Sequence, residues 1–348
     1  MNSKIACIII SLALLIPGYQ VSAQNVKTNQ KYVMVIHGGA GTILKSQMTP
    51  EKEKAYKAAL TLALETGYRK IRDGESSINA VEAAVRVMED SPLFNAGKGA
   101  VFTNEGKNEL DAAIMDGSNL MAGSVAGVTT IRNPISAARA VMEKSEHVMM
   151  VGSGAEKFAA HAGLEIVDPK YFWTKERWEG LQRVRKQDSI KAKEGSADKK
   201  SLKLGIENKD SKFGTVGAVA LDKQGNLAAA TSTGGMTNKK YGRVGDAPLI
   251  GVGTYANKLV GISCTGWGEY FIRNVVAYDV AALMEYKGRT IAEASNEVIM
   301  KKVPALGGDG GLIALDKDGN VAMPFNTAGM YRGTVTSDGK IEVLIFKE

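Results

Sequence analysis

Two threonines carry the strongest chemical signal in this chain. Phe213-Gly214-Thr215-Val216-Gly217-Ala218-Val219-Ala220-Leu221-Asp222 and Asn226-Leu227-Ala228-Ala229-Ala230-Thr231-Ser232-Thr233-Gly234-Gly235 are two runs of small and β-branched residues. Lys223-Gln224-Gly225 between them suits a three-residue hairpin loop with Gly225 in the left-handed position. Pairing Asp222 with Asn226 and counting outward places Thr215 opposite Thr233, with Cβ atoms roughly 4.5–5.5 Å apart. Gly214, the residue most tolerant of a strained backbone, comes directly before Thr215. Such a Gly-Thr bond can be cut by the threonine itself. The hydroxyl attacks the preceding carbonyl, water hydrolyses the resulting ester, and Thr215 is left with a free α-amine. That amine, with a reference pKa of roughly 7.7–8.0, can act as general base for its own hydroxyl.

A second pair could bind a substrate. In Gly242-Arg243-Val244-Gly245-Asp246 a cation and an anion lie three positions apart. Arg243 can grip an α-carboxylate through two parallel hydrogen bonds and Asp246 can receive an α-ammonium. The plainer alternative is a local salt bridge between the two. Other candidates lead elsewhere. His37-Gly38-Gly39-Ala40-Gly41-Thr42 is glycine-rich, but Leu44 fills the last glycine position of the dinucleotide fingerprint and no P-loop follows. His37 reads as a structural histidine, and with only His147 and His161 elsewhere there is no metal-spaced pair. The acidic residues of Asn108–Gly117 read as turn formers and hydrogen-bond acceptors.

These residues must be positioned by a mixed set of elements. Tyr32–Ile36 is a continuous apolar run, as in a strand buried on both faces. Thr49-Pro50 starts a helix that runs to about Arg72, and a second spans roughly Ile78–Glu89. Ser91–Gly99 is a tight loop, Asn108–Gly117 a strand entering a turn, Pro134–Lys144 a helix and Val148–Val151 a short buried strand. Thr174–Lys212 is highly charged and is expected to lack order beyond a helical turn at Trp178. A helix is expected over Tyr270–Tyr286, closed by Gly288, and another over Ile291–Lys302. A hairpin-like pair follows around Asp316–Asn320.

The 348 residues are 44% hydrophobic with 39 glycines, suiting one or two sheet-rich globular units with many tight turns. The net charge of +7 does not imply nucleic acid. Residues 175–212 hold twelve Lys and Arg against seven Asp and Glu, the composition of a solvated basic linker without interleaved aromatics. Lys4, the apolar run Ile5–Ile16 and Val21-Ser22-Ala23 form the pattern of a secretory signal peptide. Residues 1–23 are therefore expected to be removed, leaving a secreted or periplasmic chain with no membrane span. Cys264 is then the only cysteine, so no internal disulfide forms; it reads as a small buried residue.

The hairpin motif, Thr231-Ser232-Thr233-Gly234-Gly235-Met236, Gly242–Asp246, His37–Gly41 and Phe325-Asn326-Thr327-Ala328-Gly329-Met330-Tyr331-Arg332 together resemble the plant-type L-asparaginase and isoaspartyl aminopeptidase branch of the N-terminal-nucleophile hydrolases. The likeness covers nearly the whole chain after the leader. It implies an α+β fold, a four-layer αββα sandwich with two antiparallel sheets between helical layers. It also implies an α subunit of residues 24–214, with 174–214 as linker, and a β subunit of residues 215–348, assembled as a dimer of heterodimers. Hydrolysis of L-asparagine and β-aspartyl dipeptides would follow. Thr215 would be the nucleophile and Thr233 would orient it. The Thr265 hydroxyl and Gly266 N–H would form the oxyanion hole, and Arg243, Val244, Gly245, Asp246, Trp267 and Gly268 would surround the substrate. Trp267 is larger than the family's usual residue and is expected to narrow the pocket. No cofactor is expected for the chemistry. A sodium ion held by the backbone carbonyls of Met88, Glu89, Ser91, Phe94, Ala96 and Lys98 is implied instead. Glycosylasparaginase is the nearest alternative, distinguished by the Gly235-Met236-Thr237-Asn238-Lys239 stretch; a non-catalytic binding protein on the same scaffold is more remote.

Overall fold

The computed structural model describes residues 31–193 and 214–347. The expected leader and residues 194–213 of the expected linker lie outside the described residues. The strands form one sheet of eight and one of four. In spatial order the larger contains Ile341–Phe346 (β12), Gly329–Val335 (β11), Val33–Gly41 (β1), Val216–Leu221 (β5), Leu227–Thr233 (β6), Leu110–Asp116 (β2), Ala122–Val128 (β3) and Met149–Val151 (β4). The smaller contains Val321–Ala322 (β10), Gly310–Asp316 (β9), Val260–Gly266 (β8) and Thr254–Ala256 (β7).

Alternation along the strands accounts for three apolar clusters. One face of the large sheet presents Met34, Ile36, Ile114, Val216, Ala218 and Ala230. These pack with Leu60, Leu64, Val81, Val85 and Ile135 from helices Pro50–Arg72 (α1), Ser77–Glu89 (α2) and Pro134–Lys144 (α3). The neighbouring positions Val35, Met115, Val219 and Leu227 point to the opposite face and cluster with Ile313 and Leu315 of β9. The other face of the small sheet, with Ile262, Cys264, Leu312 and Ala314, packs on Phe271, Val280 and Ile291. Burying each large aliphatic side chain stabilises the fold by about 1.5–3 kcal/mol, so these clusters fix the strand register. Helix starts follow local chemistry: Thr49 Oγ1 accepts from Lys52 N at 3.2 Å, and proline opens both α1 and α3.

Four expectations are corrected. Lys175–Lys193 forms a 19-residue helix (α5), where the sequence suggested one turn. Trp178 packs edge-on to Phe102 with ring centroids 5.2 Å apart, Leu181 and Val184 are buried, and Arg177 donates to the Gly99 and Leu93 carbonyls. A narrow stripe at three-residue spacing is thus enough to dock a mostly charged helix. The strand at Met149–Val151 is largely exposed and pairs parallel with β3, so the large sheet is not wholly antiparallel. The helix expected over Tyr270–Tyr286 is two, Gly268–Asn274 (α6) and Val276–Lys287 (α7), because Val275 takes a left-handed conformation at φ 49°. Past Ile291–Glu297 (α8), residues 298–302 widen into a π turn. Gly152–His161 forms α4, and no helix among the described residues, α4 included, is long and apolar enough to cross a membrane.

Candidate active site

The hairpin register holds. Val216 pairs with Ser232 and Leu221 with Leu227, and Asp222 N–H donates to Asn226 O at 3.0 Å. Gly225 turns the corner at φ 81°. At the open end Thr215 Oγ1 donates to Thr233 Oγ1 at 3.1 Å, and Thr233 Oγ1 also accepts Gly235 N–H at 3.0 Å. Thr233 is 97% shielded from solvent, so its hydroxyl is held by these contacts.

Gly214 precedes the nucleophile at φ 72°, in the left-handed region that favours glycine. Its carbonyl oxygen accepts Asn95 N–H at 3.1 Å. A Cβ at Gly39 would lie 2.0 Å from Gly214 Cα, so two glycine backbones meet here at a distance no side chain allows.

One cleft, about 740 Å³ with the open solvent at its mouth, brings together Thr215, Thr233, Thr265, Gly266, Arg243, Gly245, Asp246 and Trp267. Val244 and Gly268 do not line it. Gly268 still matters for space, since a Cβ there would come within 2.7 Å of Arg243 Nη2 and 3.1 Å of Asp246 Oδ1. Strand β8 delivers Thr265, which is buried and whose Oγ1 accepts Ala40 N–H at 3.2 Å; its own proton remains available to a group in the cleft. Trp267 stands edge-on to Tyr270, ring centroids 5.1 Å apart.

Arg243 and Asp246 do not form the local salt bridge that was the alternative. Arg243 Nε and Nη2 each donate to a Glu269 carboxylate oxygen at 2.9 Å. Asp246 is buried, and its Oδ2 has no hydrogen-bond partner. Burial pushes the Asp246 carboxyl up to about 7, partly opposed by the nearby Arg243. A buried, underpaired carboxylate beside the cleft suits a positive ligand group. Sequence reasoning missed Glu269, and also Asn95 and Asp309, which line the same cleft.

Polar contacts support the hairpin from both sides. His37 Nε2 lies 2.9 Å from Ser263 Oγ, which lies 2.7 Å from Thr231 Oγ1; Thr254 Oγ1 donates to Thr231 at 2.6 Å. Gly217 makes room for this chain, since a Cβ there would lie 1.9 Å from Ser263 Oγ. Burial lowers the His37 pKa to about 3, with the Thr215 backbone partly offsetting it. On the other face Ser232 Oγ donates to Glu89 Oε1 at 2.6 Å, and Ile135 N–H to the same oxygen at 3.0 Å. Burial raises the Glu89 carboxyl to about 8. Among the strand carboxylates, Asp111 accepts Gly127 N–H and Asp116 accepts Ser118 N–H. Cys264 is fully buried, its thiol pushed up by burial.

The loop implied to hold an ion can be tested on its glycines. A Cβ at Gly97 would lie 2.3 Å from Glu89 O, and one at Gly99 would lie 2.1 Å from Phe94 O. These carbonyls therefore crowd a space that glycine leaves free. Ala96 O accepts Gly99 N–H at 3.1 Å with a lone pair to spare, while Met88 O already accepts both Asp90 and Ser91 N–H. An all-oxygen set fits a hard cation. Among the described residues no cluster of His, Cys, Asp and Glu side chains could hold a metal.

Comparison with known proteins agrees with this geometry. Residues 30–345 match the family model described as asparaginase. Isoaspartyl peptidase of Escherichia coli (strain K12) is 56% identical over 303 residues, covering 87% of this chain and 92% of that protein. Putative isoaspartyl peptidase/L-asparaginase of Dictyostelium discoideum is 50% identical over 333 residues, covering 90% and 96%. Plant-type L-asparaginase of Pyrococcus furiosus is 43% identical over 298 residues, covering 85% and 94%. A match of this extent, on a fold that gathers the motifs at one cleft, shows that the chain belongs to the asparaginase family.

Proposed function

We propose that this protein is an amidohydrolase that cuts itself between Gly214 and Thr215 and then hydrolyses β-aspartyl dipeptides and L-asparagine. The observation that carries the reading is the 3.1 Å hydrogen bond from Thr215 to Thr233 directly after the left-handed Gly214. The names of the E. coli and D. discoideum relatives support the substrate class.

In maturation Thr215 Oγ attacks the Gly214 carbonyl carbon and the Gly214–Thr215 C–N bond breaks. The acyl group is then an ester on Oγ, and the amine is free. Water hydrolyses the ester and restores the hydroxyl. Asn95 N–H already donates to the Gly214 oxygen that gains charge in the first step. In turnover the Thr215 amine takes the hydroxyl proton as Oγ attacks the substrate's side-chain carbonyl. The Thr265 hydroxyl and Gly266 N–H receive the oxyanion, each such donor typically contributing a factor of about 10²–10³. The protonated amine returns its proton to the leaving nitrogen, and water frees aspartate from the ester. Thr233 fixes the direction of the Thr215 hydroxyl, while Arg243 and Asp246 bind the α-carboxylate and α-ammonium.

The two subunits would be residues 24–214 and 215–348, in the four-layer αββα arrangement that the three apolar clusters support, paired as a dimer of heterodimers. A sodium ion at the carbonyls of Met88, Glu89, Ser91, Phe94, Ala96 and Lys98 would supply charge that steadies the loop carrying Asn95. The leader pattern supports export to the periplasm or beyond. Purified protein tests the reading: it should hydrolyse β-aspartyl-leucine and asparagine but not α-linked aspartyl-leucine, whose α-carboxylate is consumed in the peptide bond. Efficient cleavage of the α-linked peptide, or strong preference for glycosylasparagine, would overturn it.

A further inference from the structure

A second cavity adjoins the first. Ala40, Thr42, Asn95 and Gly214 line both, whereas Thr215, Arg243, Asp246 and Trp267 line only the first. The second is the larger, about 1010 Å³ with its open mouth. Its wall is apolar at Leu44, Met48, Tyr56 and Tyr331, and carries the charged side chains Lys52, Glu176, Arg177 and Arg183, three cations to one anion. Lys52 is held by Glu176 of α5 at 2.9 Å.

We propose that this second cavity is the leaving-group subsite and that it selects β-aspartyl dipeptides whose second residue is apolar. The inference rests on the proposed hydrolase reading. If Arg243 and Asp246 clamp the aspartyl head, the scissile carbonyl lies at Thr215 and the leaving amine must continue away from the clamp. Gly214 bounds that side and reaches into both cavities. Once its bond to Thr215 nitrogen is broken, its carboxylate is no longer tethered between the two spaces. The departing amino acid then meets an apolar wall for its side chain and basic groups for its α-carboxylate. When the substrate amide C–N bond breaks, the leaving nitrogen takes the proton from the Thr215 ammonium. Asparagine releases only ammonia and makes no use of the wall. Trp267 lines only the first cavity and so takes no part in leaving-group choice.

The test compares kcat/KM for β-aspartyl-leucine, β-aspartyl-glycine and asparagine in the self-processed enzyme. Wild type should favour the leucine over the glycine peptide by about tenfold. Leu44→Asp and Met48→Asp should each lower the leucine peptide by about tenfold or more and leave asparagine within about twofold. Self-cleavage, seen as two chains on a gel, reports that a variant has folded. Leu44→Ala, which adds no charge, should give a smaller loss in the same direction if an aspartate variant fails to process. Equal losses on leucine peptide and asparagine, no loss at all, or a leucine-to-glycine ratio that moves only with Trp267→Gly would overturn the subsite. Wild type inert to all three substrates would instead overturn the hydrolase reading beneath it.

Discussion

Arg243 and Glu269 form a two-pronged ion pair, both N···O distances 2.9 Å, with the arginine mostly buried beside the cleft and the glutamate half-exposed. The pair fixes the guanidinium plane before substrate arrives, and Arg243 still borders the cleft. Arg243→Gln should lower kcat/KM for every β-aspartyl substrate alike, by roughly 1.5–3 kcal/mol, or about 10–150-fold. Glu269→Gln should give a smaller loss, because the exposed side of the pair is screened by water. Steady-state kinetics on two substrates check both; a loss confined to one substrate would exclude a shared carboxylate clamp.

Thr215→Ala should remain a single chain on a reducing gel, because the attacking oxygen is gone. In wild type, N-terminal sequencing of the smaller fragment should read Thr215 first, and any other first residue would sink the maturation mechanism.

Thr233→Val removes the acceptor of the Thr215 proton at nearly constant volume. In material that has processed, kcat should fall far more than substrate binding weakens, since only the nucleophile's orientation is lost. Normal turnover would separate Thr233 from the chemistry despite its 3.1 Å contact.

Asp246 must be ionised to receive an ammonium, and burial holds its carboxyl up near about 7. As pH falls through that value the free enzyme loses the anion, so kcat/KM should fall on the acid side. The Thr215 amine, whose reference pKa is roughly 7.7–8.0, adds a second limb. Asp246→Asn should show lower activity and only the amine's limb; an unchanged double limb in the pH–rate profile would release Asp246 from substrate binding.

Leu181 is fully buried under the otherwise charged α5. Leu181→Ala should cost about 2–5 kcal/mol if the helix is integral to the fold. Denaturant unfolding measures this, and a change below about 0.5 kcal/mol would mean that the helix docks without contributing to stability.

What the sequence made legible followed how far the partners stood apart along the chain. The Thr215–Thr233 meeting could be counted because one short loop joins β5 and β6. The Arg243 contact could not: Arg243 is in a loop and its partner stands 26 residues later, at the start of α6, while Asp246 three positions away looked the natural choice. Composition averaged over Thr174–Lys212 concealed Leu181 and Val184, whose three-residue spacing from Trp178 carries the buried stripe of α5 onward. The break at Val275 had no local signal, since φ 49° runs against the preference of a β-branched residue and the neighbouring Ala277 and Tyr278 N–H groups bond the distant Val252 and Gly251 carbonyls instead. Trp267 lines the cleft, and Gly268 acts by having no side chain.

The chain His37–Ser263–Thr231–Thr254 has a further effect, on acid tolerance. A His37 imidazole depressed to about 3 remains uncharged in the folded protein, whereas the unfolded chain binds its proton below about 6.5. From about 6.5 down to 3 the unfolded state therefore gains a proton that the native state refuses, tilting the balance towards unfolding by up to about 1.4 kcal/mol for each pH unit. Glu89 acts at the opposite end: its raised carboxyl favours the native state below about 4.5, and that advantage drains away as pH climbs to about 8. The imidazole beneath Thr231 and the carboxyl on Ser232 thus oppose each other from either side of one strand, and their combined contribution is greatest in mildly acidic conditions, between about pH 4.5 and 6.5.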